Sequence, residues 1–229
     1  MKHKKMELLQ KSHGVLFDMD GVILDSMPYH VQAWKDAFGD KDLEVDERLF
    51  YLYEGAIEPE VACKLFSQNG ARLSLQDFFQ IHHLQKQYFL ERYSNCVKPF
   101  AGVAELLEWL KAEGIKIALV TSSHDEILDA VLPKQLKILF DCIVTGDNIK
   151  RRKPHPDPYL AGISGIGIKA GNGNVAIENA PAGIESAQKA GLKCIALTTT
   201  LNRKYLKKAD KIIDDHKELL EIFRKNFKK

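Results

Sequence analysis

Short apolar runs alternate with stretches of helical periodicity from about residue 98 onward, and this alternation limits the possible folds most strongly. The runs are mostly apolar throughout, as expected for parallel strands that are covered on both faces. Repeated strand–helix units predict an α/β fold with a doubly wound parallel sheet, Rossmann-like, and helices on both faces. The predicted strands of this part are Ile115–Val120, Cys142–Val144, Val175–Ile177, Ile195–Leu197 and a short Ile212–Ile213.

One predicted helix of this region has a recognisable start. The segment Ser123-His124-Asp125-Glu126 has the spacing of a capping box, in which Ser123 would satisfy a main-chain N–H of the first turn. The helix predicted to follow contains Ile127, Leu128 and Val131.

Residues 28–96 follow a different pattern, because apolar residues recur there at helical spacing and no strand is evident. The apolar positions form three groups: Val31, Trp34 and Phe38; Val61, Leu65 and Phe66; and Phe78, Ile81, Tyr88, Phe89 and Tyr93. We therefore expect a helical domain at 28–96, inserted after the first strand. The sheet domain would then be discontinuous and comprise residues 1–27 and 97–229.

The first predicted strand ends in two carboxylates, Asp18 and Asp20, which are followed at once by Gly21. Residues two apart in an extended strand point to the same side, so the two carboxylates should lie close together. Such a pair is best explained by a cation between them or by protonation of one partner. Asp and Gly are also frequent in turns, so these residues alone leave a plain turn open as the alternative.

Polar residues also follow three other predicted strands. Thr121 and Ser122 follow the second strand, Lys153 follows the third after a turn, and Glu178 and Asn179 follow the fourth. Each has a plainer interpretation alone: a loop or cap, part of a solvated basic run, and turn residues before a helix. Together with the carboxylate pair, they fall at four strand ends of one sheet. Ligands bind at the carboxyl ends of strands in this architecture.

Composition limits the kinds of partner that the chain is expected to bind. A net charge of +2 gives no strong reason to bind nucleic acid, and the basic ends, Met1–Lys5 and Arg224–Lys229, are typical of solvated tails. The four cysteines lie far apart without a Cys-x-x-Cys pair, which argues against a zinc site and a disulfide framework. No apolar run reaches membrane-spanning length, so we expect a soluble, cytoplasmic protein that binds neither nucleic acid nor membrane.

The motifs resemble those of the haloacid dehalogenase-like hydrolase superfamily, in the same order and over nearly the whole chain. The matching segments are Asp18-Met19-Asp20-Gly21, Thr121, Lys153-Pro154, Glu178-Asn179 and Ala180-Pro181-Ala182-Gly183-Ile184-Glu185-Ser186-Ala187. The nearest branch contains beta-phosphoglucomutase, phosphoglycolate phosphatase and small sugar-phosphate phosphatases. The helical insertion is similar to the helical cap of that family.

The resemblance implies an enzyme that transfers a phosphoryl group with Mg²⁺ as its cofactor. Asp18 would be the nucleophile that becomes an aspartyl phosphate, and Asp20 would act first as acid and then as base. Lys153 would hold the nucleophile and the transferring group. Thr121, and main-chain N–H groups near Ser122, would bind the phosphoryl oxygens.

The same resemblance implies the metal ligands and one substrate contact. Mg²⁺ would be held by Asp18, the main-chain carbonyl of Asp20, Glu178 and Asn179. The related proteins usually have an acidic residue where this chain has Asn179, so we expect weaker Mg²⁺ binding here. His30 matches a Tyr-His-x-x-Ala-Trp pattern of the mutase branch, which implies that it faces the substrate; from the sequence alone, a core histidine is the alternative.

The predicted function is that of a Mg²⁺-dependent phosphatase acting on a small phosphorylated metabolite such as a sugar phosphate. The first alternative is a beta-phosphoglucomutase-like phosphohexomutase, but Glu58 stands where the mutase has a phosphate-binding arginine, and its charge would repel a second phosphate. The second alternative is a family member that binds without catalysis. His82 and His83 lie about 100° apart on a helix, so they form a poor chelating pair and are expected in solvent or core. The sequence predicts no oligomeric state.

Overall fold

A parallel sheet lies at the centre of the computed structural model, which describes residues 13–53, 62–63, 66–67, 73–171 and 173–226. Its strands are β1 (Gly14–Phe17), β2 (Lys116–Val120), β3 (Cys142–Val144), β4 (Val175–Glu178), β5 (Lys193–Leu197) and β6 (Lys211–Ile213). They lie in the order β3-β2-β1-β4-β5-β6, and each neighbouring pair is parallel. The chain builds outward from β1 to one edge and then forms the other half from β4. The doubly wound α/β fold is therefore confirmed.

The helices of the described residues are α1 (Met27–Gly39), α2 (Arg48–Tyr53), α3 (Leu75–Tyr88), α4 (Val103–Ala112), α5 (Asp125–Val131), α6 (Lys134–Lys137), α7 (Asp157–Gly165), α8 (Pro181–Lys189) and α9 (His216–Asn226). A π-helical turn, Phe89–Tyr93, and a 3₁₀ turn, Ser94–Cys96, continue α3. None of these helices is both long and apolar enough to cross a membrane.

Alternate residues of each strand enter different apolar cores. Phe17 and its neighbour Leu119 lie in the core that also contains side chains of α4, α5 and α9. Leu16 and Ala118 lie in the core on the opposite face, which is covered by α7 and α8. Because both faces are covered, no position of these strands has to be polar, and their continuous apolar character follows.

At the edge where the strands begin, which we call the N-terminal edge, a polar side chain just before a strand binds the main chain of the neighbouring strand. Asp141, before β3, accepts a hydrogen bond from a main-chain N–H of β2 at 2.8 Å, and Asp210, before β6, accepts one from β5 at 2.9 Å. Asn174, before β4, accepts one from the N–H of Gly14 in β1 at 2.9 Å. These side chains satisfy N–H groups that the strand ladder leaves unpaired.

The capping box predicted at Ser123 is wrong. Helix α5 begins at Asp125 after His124, and it has no side-chain cap of its own. The N–H of Asp125 donates to a carboxylate oxygen of Asp147 at 2.8 Å, whereas the hydroxyl of Ser123 donates to Asp20 at 2.8 Å. The hydroxyl assigned to a helix end is therefore used at the edge of the sheet.

Helices α1, α2 and α3 share an apolar cluster of their own, which contains Phe38, Phe50 and Phe78. The division into domains at 28–96 and the flanking ranges stays a prediction. Several residues used in the sequence analysis lie outside the described ones: Met1–Lys5, Glu58, Val61, Leu65 and 227–229.

Candidate active site

Asp18 directly follows strand β1 and is 8 % exposed. Its N–H donates to the carbonyl of Ile177 in β4 at 3.0 Å, which extends the strand ladder and fixes the main chain there. Its Oδ1 accepts a hydrogen bond from Nζ of Lys153 at 2.6 Å. Burial raises the pKa of Asp18 to about 8, with Glu178 and Asp20 acting in the same direction and Lys153 against it. The carboxylate therefore needs further positive charge to stay ionised at neutral pH.

Lys153 bridges the two carboxylates at the carboxyl ends of β1 and β4. Its Nζ donates to Asp18 at 2.6 Å, to Oε1 of Glu178 at 2.8 Å and to the main-chain carbonyl of Val120 at 3.1 Å. Burial alone would lower the pKa of Lys153, but the two carboxylates raise it above its ordinary value. Lys153 is therefore a charged, buried part of the site, whereas Arg151 of the same basic run is exposed.

Glu178 lies at the end of β4 and is 1 % exposed. Its Oε1 accepts hydrogen bonds from Lys153 and from the hydroxyl of Tyr159 at 2.7 Å, and its Oε2 accepts one from the N–H of Asn179 at 3.1 Å. The carboxylate fits only because residue 183 is glycine: a Cβ on Gly183 would lie 1.9 Å from Oε1. Glu178 therefore holds Lys153 in place, and its predicted role as a Mg²⁺ ligand stays a prediction.

Asp20 accepts hydrogen bonds from two separate chain segments, residues 26–30 and residues 121–123. Oδ1 accepts hydrogen bonds from the hydroxyl of Ser26 at 2.6 Å and from Nε2 of His30 at 3.3 Å. Oδ2 accepts them from Ser123 at 2.8 Å and from Thr121 at 3.4 Å. Burial opposes ionisation, but the bonds and the charge of these partners, His30 first, hold the pKa of Asp20 below its ordinary value.

His30 is buried between Asp20 and a second partner on α3. Nε2 of Gln85 lies 3.3 Å from Nδ1 of His30, and the imidazole stacks on Phe89 with the ring centroids 3.8 Å apart. With a proton on Nε2, the imidazole donates to Oδ1 of Asp20. The geometry therefore makes His30 a positioning residue for Asp20; His30 also lines the cavity, and its predicted contact with the substrate stays a prediction.

Asn179 approaches the turn after Asp20 closely. Its Nδ2 donates to the hydroxyl of Thr200 at 3.0 Å, and a Cβ on Gly21 would lie 2.2 Å from this Nδ2. Gly21 also has a φ of +78°, which favours glycine. Both observations explain why the two aspartates are followed by glycine.

The residues present fit a divalent cation. Oδ1 of Asn179 is buried and has no hydrogen-bond partner, which is costly for a polar oxygen unless a ligand supplies the contact. The carboxylates of Asp18, Asp20 and Glu178 outnumber the one ammonium that bonds to them among the described residues, that of Lys153. Within the described ranges, no group of three or more His, Cys, Asp or Glu side chains is placed to hold a metal ion. A cation here would therefore depend on the amide oxygen and on main-chain oxygen.

A cavity of about 370 Å³ lies between the carboxyl ends of the strands and helices α1 to α3. Asp18, Asp20 and Lys153 line its floor together with the half-buried Ser122. The predicted residues from four strand ends therefore meet at one cavity, which is large enough for a small metabolite.

Sequence reasoning missed several residues that the structure places here. Ser26, Tyr159 and Gln85 bond directly to predicted residues. His82, for which the sequence predicts solvent or core, lines the cavity. A serine, tyrosine or glutamine on a helix has no local signal that distinguishes a site partner from an ordinary surface or core residue.

A family model described as haloacid dehalogenase-like hydrolase matches residues 15–197. A phosphorylated carbohydrates phosphatase from Thermotoga maritima is 32 % identical over 80 % of this chain and 83 % of its own length. A fructose-1-phosphate phosphatase from Escherichia coli is 28 % identical over 82 % of this chain and 97 % of its own. Protein SUPPRESSOR OF QUENCHING 1, chloroplastic, from Arabidopsis thaliana is 33 % identical over 87 % of this chain, which spans 19 % of that protein's length.

Solved structures show the same fold. A hydrolase from Pseudomonas syringae superimposes with a TM-score of 0.81 at 23 % identity, over 93 % of this chain and 99 % of that one. A beta-phosphoglucomutase from Clostridium difficile gives 0.76 at 24 % identity, over 94 % and 97 %. At these identities the likeness concerns the fold alone.

Proposed function

The chain belongs to the haloacid dehalogenase-like hydrolase family, and we propose that it is a Mg²⁺-dependent phosphatase of a small phosphorylated metabolite. The observation that carries this proposal is the 2.6 Å contact between Asp18 and Lys153 on the floor of the cavity, with Asp20 beside them. A buried carboxylate held by a lysine, next to a second carboxylate with different hydrogen bonds, is suited to nucleophilic catalysis with separate acid–base assistance.

In the first step, Asp18 attacks the phosphorus atom of the substrate. Lys153 occupies Oδ1, which leaves Oδ2 as the attacking oxygen. The new bond joins Oδ2 to phosphorus, and the bond from phosphorus to the ester oxygen breaks. The bound phosphate places negative charge beside Asp20, which raises the pKa of Asp20 from its lowered value in the free site and lets it carry a proton. Asp20 gives this proton to the leaving oxygen, so the alcohol departs neutral and Asp18 carries the phosphoryl group.

In the second step, water releases the phosphate. Asp20, now a carboxylate, takes a proton from a water molecule whose oxygen attacks phosphorus, and the bond to Asp18 breaks. Ser26, Ser123 and His30 hold Asp20 in place for both transfers. Main-chain N–H groups near Ser122 and the hydroxyl of Thr121 would bind phosphoryl oxygens, and the ammonium of Lys153 offsets the charge that gathers on them.

Mg²⁺ would be held by Asp18, Asn179 and the main-chain carbonyl of Asp20, where it would supply positive charge to the phosphoryl oxygens. Two like unit charges 4 Å apart cost about 4 kcal/mol at an effective dielectric constant of 20, which is the repulsion between carboxylate and phosphate that such a charge reduces. Helices α1 to α3 would act as a cap over the cavity. Relatives named for phosphorylated carbohydrates and for fructose 1-phosphate support a small phosphate ester as the substrate.

The test is phosphate release by the full-length protein from a panel of phosphorylated metabolites with Mg²⁺. We expect turnover by the wild type, and its loss both in Asp18→Asn and with excess chelator. Beryllium fluoride should bind at residue 18 in a crystal of the wild type. Equal rates for wild type and Asp18→Asn would instead indicate a binding protein. A hexose 1-phosphate that is converted to its 6-phosphate in the presence of bisphosphate would indicate a mutase.

A further inference from the structure

The wall of the cavity that faces the strand ends consists largely of aromatic rings. Trp34 of α1, Phe50 of α2 and three residues of α3, namely Phe78, Phe79 and His82, line this wall. We call these five residues the aromatic wall. They lie opposite the floor on which Asp18 and Lys153 would hold the phosphoryl group, so they face the part of the substrate that leaves.

The rings of the aromatic wall are stacked in parallel pairs. Trp34 and Phe50 lie 5.6 Å apart between centroids at an angle of 7°, and Phe78 and His82 lie 6.1 Å apart at 19°. Trp34 is only half-buried, and Phe79 is 56 % exposed. Phe79 therefore presents part of its ring to solvent at the cavity, where it is accessible to a ligand.

His82 adds to the apolar character of the aromatic wall. Burial, followed by the charges of Arg152 and His124, lowers the pKa of His82 to about 4. The imidazole is therefore neutral near pH 7. It offers a flat ring and a hydrogen-bonding nitrogen, but no charge for a second phosphate.

The carboxylates that line the cavity are concentrated on its floor, whereas uncharged polar side chains, those of Tyr51, Tyr53 and Gln85, also lie on the side of helices α1 to α3. Among the residues that the structure describes, the carboxylates of the lining are Asp18, Asp20 and Glu178, all at strand ends. A polyhydroxyl chain is held by several convergent donors and acceptors, whereas a planar ring is held by stacking on other rings. The described part of the aromatic wall meets the second requirement.

We propose that the leaving group of the substrate carries a planar aromatic ring that stacks on the aromatic wall. This inference rests on the proposed phosphatase activity. The substrate is then a phosphomonoester of a nucleoside-like or other heteroaromatic alcohol. The cavity of about 370 Å³ lies within the range for ligands of that size.

Arg152, on the floor side of the same cavity, suits such a ring. Its Nη2 donates to Nε2 of His124 at 3.2 Å, and Nδ1 of His124 lies 2.5 Å from a carboxylate oxygen of Asp147, so the guanidinium is oriented. Within the described ranges, Arg152 forms no ion pair with a carboxylate. A planar guanidinium stacks on aromatic rings and donates to their heteroatoms.

The test compares pairs of esters that share a leaving-group chemistry. Adenosine 5′-monophosphate and ribose 5-phosphate both release a primary alkoxide, and benzyl phosphate and cyclohexylmethyl phosphate differ in the planarity of the ring. We expect kcat/KM to be about tenfold higher for the aromatic member of each pair, which corresponds to about 1.4 kcal/mol from stacking on the aromatic wall. Ratios of one or below in both pairs would overturn the inference but leave the phosphatase assignment intact. Release from none of the esters would overturn the assignment itself.

Variants of Phe79 test the aromatic wall directly. Phe79→Ala and Phe79→Leu should each lower the aromatic-to-aliphatic ratio of kcat/KM about fivefold, because both remove the ring and the leucine keeps an apolar side chain. Leu75→Ala is the matched control, because Leu75 is an exposed apolar residue of α3 that does not line the cavity. An unchanged ratio in both Phe79 variants, or an equal fall in Leu75→Ala, contradicts the inference.

Discussion

The two edges of the sheet use the same residue types for opposite purposes. At the N-terminal edge, Asp141 and Asp210 each accept a main-chain N–H of the neighbouring strand and a lysine at the surface. At the carboxyl edge, Asp18 and Glu178 share one buried lysine. The main chain beside them offers carbonyl groups, and the carbonyl of Val120 accepts a hydrogen bond from the same lysine.

The pKa values of the carboxylates differ between the two edges of the sheet. Burial raises the pKa of Asp141, but the hydrogen bonds from Lys111 and from a main-chain N–H lower it by more, so the pKa lies below its ordinary value. The pKa of Asp210 is lowered in the same way. The pKa of Asp18 rises to about 8, because burial outweighs Lys153. A main-chain donor at a half-exposed edge therefore keeps a carboxylate ionised, whereas burial beside other carboxylates moves the pKa of Asp18 towards neutral pH, a shift that is common at functional sites.

The largest expected effect comes from exchanging aspartate for asparagine at each edge. Asp18→Asn should lower kcat at least about a thousandfold, because an amide oxygen cannot form the phosphoryl ester, and the fold should persist. Asp141→Asn should leave kcat within twofold, as measured by phosphate release per folded molecule. A comparable loss in both variants would contradict the division between the edges.

Exchange of a lysine for methionine should separate the edges in stability. Lys153→Met leaves Asp18 and Glu178 buried without their shared cation, and we expect a loss of about 3 kcal/mol in the free energy of unfolding. Lys111→Met, at the other edge, removes a half-exposed ion pair with Asp141 and should cost less than about 1 kcal/mol. Urea denaturation measures both, and equal losses would show that the buried lysine is not the anchor.

Truncation of Asp141 tests the N-terminal edge alone. Asp141→Ala leaves a strand N–H without its acceptor and should cost about 1–3 kcal/mol, whereas Asp141→Asn keeps an acceptor and should cost less. Because the folded pKa of Asp141 lies below its ordinary 3.8, its contribution is complete above about pH 4 and is lost as the pH falls through the folded value. The difference in the free energy of unfolding between wild type and Asp141→Ala should therefore narrow in acid to the part that the neutral carboxyl, which still accepts the N–H, contributes. A gap that stays constant with pH would exclude the charge of Asp141 as a cause.

The smallest effect is expected from Asn179→Asp, which adds a carboxylate at the carboxyl edge. The added charge should lower the Mg²⁺ concentration for half-saturation about fivefold, because a carboxylate oxygen binds a hard cation more strongly than an amide oxygen does. Calorimetric titration with Mg²⁺ measures this without turnover. The matched Asn174→Asp, at the other edge, should leave the titration unchanged, and unaltered Mg²⁺ binding in Asn179→Asp would remove Asn179 from the proposed ligands.

The sequence predicts the sheet and the polar residues at its carboxyl edge, because each strand end is marked locally by an apolar run and by the polar residues directly after it. It does not predict the partners of those residues. Ser123 has the spacing of a helix cap, and only the fold brings it to Asp20, 103 residues earlier in the chain. Tyr159 lies on the apolar face of α7, where its hydroxyl has no local signature. The aromatic wall likewise depends on how three helices pack, which their separate periodicities do not determine.

The close approach of Glu178 to Gly183 affects how variants of this enzyme are recognised from their sequences. A single methyl group there would displace the carboxylate of Glu178, and Lys153 would lose the partner that holds it against Asp18. Such a variant would leave each charged and hydroxyl-bearing residue of the site unchanged in sequence. A genome survey that checks only those residues would count it as functional, although Asp18 would have lost its fixed counter-charge.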